Sequence, residues 1–227
     1  MERHVDRPEQ VVPEEDPQPP KPTAKPPSKH EARSAAMRAR ICDAATECLD
    51  QFGYAETTLN RIQGQAKVSR GALMYHFADR NEIIAATAVQ LLDQSMRPIK
   101  ARKTQARSTA IRDLLQDVWT RVVDTAGGRA MLEILVACRT DAALKAKLAN
   151  ELHDWDQTSL ETIATLYQGA GADPDDAELL WSVARTFVRG LIVHEQFAGS
   201  PEFSMRMLMR FADLLEPHLT PRAAGDR

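Results

Sequence analysis

The sequence predicts an all-α fold, on three observations. Proline is absent between His30 and Pro98 and again between Pro98 and Pro174, so nothing interrupts long helices there. Apolar residues in both stretches return at three- and four-residue steps, and the alternation of half-buried strands is missing. Hydrophobic side chains make up 43% of the 227 residues, enough to bury a core.

Residues 1–29 stand apart. They hold eight of the 13 prolines, and beyond Met1 and alanine their only other apolar side chains are Val5, Val11 and Val12. Such a segment buries too little surface to offset its ordering entropy, and a disordered, partly polyproline-like tail is expected. Its five basic and six acidic residues do not favour a nucleic-acid-binding arm.

The first helix is expected over about Arg33 to Gln51, with a stripe of Met37, Ile41, Ala44, Ala45, Cys48 and Phe52, ended by Gly53. Thr57-Thr58 offers the cap for a short helix over Leu59 to Gln65, and Ser69 caps a second one to about His76. Asp79 then caps a fourth helix carrying Ile83, Ile84, Ala88, Leu91 and Leu92. Further helices fill the stretch from Ala110 to Tyr167. Asp173-Pro174-Asp175-Asp176 is a helix start, with proline in first position and acids in the first turn. That helix reaches about Phe197 with a stripe of Leu180, Val183, Ala184, Phe187, Val188, Leu191 and Ile192, placing Trp181 and Arg185 elsewhere on its circumference. After Gly199-Ser200-Pro201 comes a last helix. Phe203, Met207, Phe211 and Leu214 lie on one side of it, and Met205, Leu208, Met209 and Leu215 cover much of the rest.

The two short helices cannot persist alone and must pack on longer ones. Leu59, Ile62, Ala66, Val68, Leu73 and Phe77 supply a common apolar face. A cramped helix pair braced by two longer helices is the geometry of a helix-turn-helix. The second short helix opens with Ser69-Arg70-Gly71, and a hydroxyl, a guanidinium and free N–H groups suit phosphates and base edges in a major groove.

The run Thr57-Thr-Leu-Asn-Arg-Ile-Gln-Gly-Gln-Ala-Lys-Val-Ser-Arg-Gly-Ala-Leu-Met-Tyr-His-Phe-Ala-Asp-Arg-Asn-Glu-Ile-Ile84, with Ile41, Ala44-Ala45 and Phe52-Gly53-Tyr54 before it, resembles the DNA-binding domain of TetR-family transcriptional regulators over about residues 33–92. The resemblance implies a three-helix helix-turn-helix domain followed by a helical ligand-binding and dimerisation domain. The expected divisions are a tail over 1–29, the DNA-binding domain over 30–78, a connecting helix over 79–98 and the second domain over 99–220. Two positions depart from the family pattern. Lys67 replaces the usual turn glycine, so a lysine must bear φ > 0 or the turn must differ. Met74 replaces an aromatic, often tyrosine, whose hydroxyl commonly contacts DNA, and Tyr75 and His76 are the substitutes at hand.

Thr58, Lys67, Ser69, Tyr75 and His76 are the candidate phosphate contacts. Arg70 is the candidate reader of a guanine edge, and Gly71 and Ala72 are small enough for close approach. Arg33, Arg38 and Arg61 are candidates for flanking phosphates. Residues 31–98 carry eight basic and eight acidic groups, so affinity must come from placement on one face. One such module grips few base pairs, which predicts a homodimer on a near-palindromic operator in double-stranded DNA.

A last helix apolar on more than one side needs two burial partners. The second is expected to be another copy, through Phe187, Leu191, Met207, Phe211 and Leu214 in a four-helix bundle. Trp119, Met131, Leu135, Cys138, Trp155, Tyr167, Trp181 and Arg185 are candidates to frame a pocket for a small apolar or aromatic ligand. Arg139, His153, Asp156 and His194 are further polar candidates. The resemblance implies a repressor released by that ligand, with the link running through the fourth helix. Alternatives are a DNA-binding regulator controlled by a protein partner, and an α-helical enzyme, for which no nucleophile–base or paired-carboxylate arrangement stands out.

No cofactor or metal is expected. His153 and Asp156 lack a third ligand, and the three cysteines show no CxxC or Cys/His spacing. They suit small core thiols of a reducing cytoplasm, where the protein is expected, and Cys138 has no activating neighbour in sequence for a redox role. No secretory leader and no membrane contact are expected, since no run approaches 18 apolar residues.

Overall fold

A computed structural model describes residues 28–104, 110–171, 173, 175–198 and 200–222. Most of the expected tail therefore lies outside the described residues. Helix α1 spans Lys29–Glu56 and starts earlier than periodicity suggested. Its cause is a capping box: the Glu31 N–H donates to the Ser28 hydroxyl at 3.2 Å, and the Ser28 N–H donates to the Glu31 carboxylate at 2.7 Å. Gly53 breaks the helical path with φ 73°, and a final turn runs on to Glu56.

Helix α2, Leu59–Ala66, is capped by Thr58, and α3, Arg70–His76, by Ser69. Between them Lys67 sits in the left-handed region at φ 52°, ψ 47°, so the family's glycine geometry is kept with a lysine in it. Helix α4, Arg80–Thr104, begins where expected: the Asp79 carboxylate accepts the Glu82 N–H at 2.7 Å. It does not stop at Pro98. Met96 and Ile99, on either side of the proline, are both buried in the large C-terminal core, and that packing outweighs one missing donor.

Helix α5, Ile111–Val118, continues into a π-helical turn over Trp119–Val123. Helix α6 follows over Ala126–Ala137, and α7 over Ala142–Leu166. Helix α8 spans Asp176–Ala198, and Pro174, expected at its first position, lies outside the described residues. Helix α9 is Pro201–Leu215, capped by Ser200 and followed by a 3-10 turn at Glu216–His218. Sequence reasoning missed one feature, an antiparallel ribbon of β1, Tyr167–Gly169, and β2, Leu219–Pro221, with Tyr167 opposite Pro221. Three-residue strands are too short for alternation to register.

Among the described residues three buried clusters hold the chain. The first joins α1 to α4 through Ile41, Ala45, Cys48, Ile62, Leu73, Phe77 and Ile83. A second joins α1 and α4 to α6 and α7 through Leu49, Ile84, Leu91, Ile134 and Leu148. The largest gathers α4, α5, α8, α9 and the ribbon. Three expected placements change. Phe52 is exposed beneath the Arg61 guanidinium, because the stripe of α1 turns inward at Leu49 instead. On α8 the buried stripe is Ala177, Trp181, Ala184, Val188, Leu191 and Ile192, so Trp181 is core and Val183 is exposed. On α9 it is Ser204, Leu208, Ala212 and Leu215, which leaves the Phe203–Met207–Phe211–Leu214 side half open.

Lys67 generates a test. A side chain in the left-handed region costs about 1–2 kcal/mol, partly offset by the lower entropy of a non-glycine unfolded chain. In urea unfolding Lys67→Gly should match the parent or gain up to about 1 kcal/mol, and Lys67→Val should lose about 1–2 kcal/mol.

Candidate nucleic-acid interface and adjoining cavity

Helix α3 has one side committed to the core and one side free. Leu73 and Phe77 are buried against α1 and α4. Tyr75 is 73% exposed, Met74 41%, and Thr58, Lys67, Ser69, Arg70 and Gly71 are all exposed around them. Ala72 and His76 are half-buried. The eight expected contact residues thus lie on or beside α2 and α3, six of them exposed and two half-buried. Thr58 and Ser69 also cap, accepting the Arg61 and Ala72 N–H groups at 3.3 and 3.1 Å.

Two of the outer arginines have partners within the chain. Arg38 donates to the His76 carbonyl and lies 4.0 Å from the centre of the Phe77 ring. Arg61 pairs with Glu56 at 3.1 Å and covers Phe52. Arg33 is exposed. Arg80 was not anticipated. Its Nε donates to the Thr57 carbonyl at 2.6 Å, a terminal nitrogen donates to the Tyr54 carbonyl, and its guanidinium lies 4.1 Å over the Tyr54 ring. An arginine in the first turn of a helix opposes the macrodipole, and that was the available sign that something else holds it there.

Behind this head, α1 is fastened to α6 and α7. Arg129 binds Asp50 through two nitrogens at 2.6 and 3.2 Å, and the Glu133 carboxylate accepts the Tyr54 N–H at 2.8 Å. The Tyr54 hydroxyl donates to Asp141 at 2.6 Å. That bond, with the Leu144 N–H that Asp141 caps, holds the Asp141 carboxyl below the usual range. Burial, then the bond to Asp141, pushes the Tyr54 phenol up.

A cavity of about 140 Å³ lies between α4, the π turn, α6, α7 and α8. Of the expected lining, Met131, Leu135, Trp155, Trp181 and Arg185 face it. Trp119 and Tyr167 do not, being packed in the large core, where burial pushes the Tyr167 phenol to about 12. Cys138 caps the far end of α6 and packs in the cluster of Leu49 and Leu148. Burial pushes all three cysteine thiols up, so none is poised as a thiolate. Arg139 and His153 are exposed, and Asp156 pairs with Arg185 at 2.7 Å. Among the described residues no group of three metal-ligating side chains forms, and no helix is long and apolar enough to cross a membrane.

The cavity residues that sequence reasoning missed are chiefly Leu91, Leu92 and Ser95 of α4, Gly127 and Gly128 of α6, and Arg189 of α8. Arg189 carried a readable signal, since it follows Arg185 by one turn on the same flank as Val188 and Ile192. Gly128 is there for space: a Cβ would collide with the carbonyls of Val122 and Val123 in the π turn.

Residues 41–87 match the family described as bacterial regulatory proteins, tetR family. An HTH-type transcriptional regulator of Mycobacterium tuberculosis, itself uncharacterized, is 30% identical over 141 residues, covering 61% of this chain and 71% of the relative. The chain belongs to the tetR family. The HTH-type transcriptional regulator CymR of Pseudomonas putida is 28% identical over 177 residues, 75% of this chain and 84% of that one. A TetR-family transcriptional regulator of Cytophaga hutchinsonii shares the fold at TM-score 0.61 and 14% identity, covering 82% of this chain and 96% of its own. A family member from Streptomyces coelicolor does so at 0.54 and 23%, covering 77% and 97%.

This TetR-family protein is thus a helix-turn-helix, DNA-binding transcriptional regulator. Its scaffold predicts a pH-dependent variant. Removing the hydroxyl in Tyr54→Phe returns Asp141 toward its ordinary value. A carboxylate with a lowered pKa stabilises the fold above its unfolded pKa and loses that contribution as pH falls through the folded one. Urea unfolding should show Tyr54→Phe less stable than the parent at pH 7, with the gap shrinking on acidification. Gly128→Ala should lower the melting temperature by several degrees, as about 1–3 kcal/mol of overpacking does.

Proposed function

We propose that this regulator is a dimeric repressor that leaves a near-palindromic operator when a small, largely apolar ligand fills the cavity. The observation that carries this is the double use of α4. Its middle supplies Leu91, Leu92, Ser95 and Ile99 to the cavity wall, and its first residue, Arg80, grips the backbone at Tyr54 and Thr57 beside the recognition helix. Helix α6 is shared in the same way: Gly127, Gly128 and Met131 line the cavity, and Arg129 and Glu133 hold α1. A ligand that favours one setting of α4 and α6 changes the spacing of the two heads and lowers affinity by its own preference for that setting.

In this reading residues 30–78 form the DNA-binding domain, 79–98 connect, and 99–220 bind ligand and a second copy. Arg70 reads a guanine edge, with Gly71 and Ala72 allowing close approach. Thr58, Lys67, Ser69, Tyr75 and His76 hold phosphates. The second copy packs on the exposed side of α8, where Leu179, Val183, Val193 and Phe197 share one face with Gly190, and on Phe203 and Leu214 of α9. Leu191 is buried within its own chain, and Phe187 stacks on Phe211 at 4.2 Å, so these residues shape the bundle beneath that face. The setting is the cytoplasm, where DNA and reduced thiols coexist.

Gel-shift titrations with the protein's own promoter test the reading. Arg70→Ala should lose about 1–3 kcal/mol per half-site with an unchanged helical spectrum. Lys67→Ala should lower the slope of log K against log salt by about one per half-site. Sedimentation should give a dimer at micromolar concentration, and Val183→Glu with Phe197→Glu a folded monomer that binds the operator at least about tenfold more weakly. A monomeric parent, or full operator affinity in Arg70→Ala, would falsify the corresponding half of the proposal.

A further inference from the structure

The cavity is apolar for most of its surface, but its charge is one-sided. Its lining includes Arg121, Arg185 and Arg189 and contains no Asp or Glu. Arg121 is largely exposed and pairs outward with Asp117 at 3.5 Å. Arg185 gives one terminal nitrogen to Asp156 at 2.7 Å and to the Ser182 hydroxyl at 3.3 Å. Its Nε is buried with no hydrogen-bond partner among the described residues. Arg189, one turn further along α8, is half-buried and makes no direct hydrogen bond or ion pair among the described residues, although the Asp156 charge also reaches it. Burial, then the neighbouring Arg185, pulls its pKa down. Two guanidiniums thus face one carboxylate, and that carboxylate lies outside the lining with its side chain 45% exposed.

A guanidinium withdrawn from water without a direct partner is disfavoured, and an anion that pairs with it removes that cost. The remaining walls indicate what accompanies that anion. Trp155 donates its indole N–H to Ser95 at 3.0 Å, and Trp181 donates its own to Ser159 at 2.9 Å. Both donors are satisfied, so the rings serve as apolar walls. A volume near 140 Å³ is that of an engineered cavity that holds about one benzene ring. One uncompensated positive charge fits a monoanion better than a dianionic phosphate, and the planar guanidinium fork matches a carboxylate.

We infer that the effector is an amphiphilic monocarboxylate, an aromatic acid of one ring or a short-chain fatty acid, with its carboxylate between Arg185 and Arg189 and its apolar body against Trp155, Trp181 and Met131. This rests on the cavity being the effector site proposed above. It narrows a largely apolar ligand to an anionic one, and it makes Arg189 the specificity-determining residue.

The test uses the full-length dimer and matched probes: 4-ethylbenzoate against 4-ethylbenzamide, 3-phenylpropanoate against 3-phenylpropanamide, and hexanoate against hexanamide. Binding is followed by tryptophan fluorescence and calorimetry, and release by gel shift on the protein's own promoter. At least one acid should bind ten or more times more tightly than its amide. Arg189→Met and Arg189→Gln should reduce that ratio to within about threefold while keeping the parent's far-UV spectrum, and Arg189→Lys should restore part of it. Amides that bind as well as acids, an acid preference that survives in both neutral variants, or no acid binding up to millimolar concentration would overturn the inference. Amides that bind equally and still release the promoter would sink the anionic effector and leave ligand-controlled repression standing. A parent that binds acids through Arg189 but never its promoter would do the reverse.

Discussion

Seven residues cannot hold a helix in water, and α3, the second helix of the helix-turn-helix, is a seven-residue helix. It persists because Leu73 and Phe77 reach a core owned by α1 and α4 and because Ser69 satisfies its first turn. Burying each of those side chains stabilises the fold by about 1.5–3 kcal/mol, which is the term that outweighs the cost of nucleation. The same arrangement dictates the outer face. With two positions turned inward, Arg70, Gly71, Met74 and Tyr75 are left to solvent. Arg38, over Phe77 and bonded to the last carbonyl of α3, closes the end of the helix without using a residue of the contact face.

That head is joined to the rest of the molecule by polar contacts on apolar packing. Asp50 with Arg129, the Tyr54 amide with Glu133, and the Tyr54 hydroxyl with Asp141 lie on either side of Gly53 at the end of α1. The kink at Gly53 brings these groups within reach, since a straight helix would carry Tyr54 along a different line. Arg80 then ties the start of α4 to the same turn. Few residues therefore carry the mechanical connection, and each belongs to a helix that also borders the cavity or abuts one that does.

The cavity combines two demands that pull against each other. Its size and its tryptophans suit an apolar ring, but two arginines on α8 keep positive charge against that surface. Asp156 pairs directly with only one of them. Under the proposed reading, a carboxylate pairs with the arginine that Asp156 leaves without a direct partner.

Much of this was legible from residue order alone. Caps at Thr58, Ser69 and Asp79, the stripe of α1 and the turn at Lys67 are local features governed by backbone geometry and short-range periodicity. These determined the helix-turn-helix and which six of its candidate residues stand exposed. What the tertiary structure alone decided was how helices far apart in sequence meet. It placed Trp119, Tyr167 and Cys138 in cores rather than in the cavity, carried α4 through Pro98, and brought Arg189 inside. The physical reason is that a helix stripe shows which residues leave solvent but not which partner they meet. Partner choice depends on the packing of whole faces, and no window of a single helix contains it.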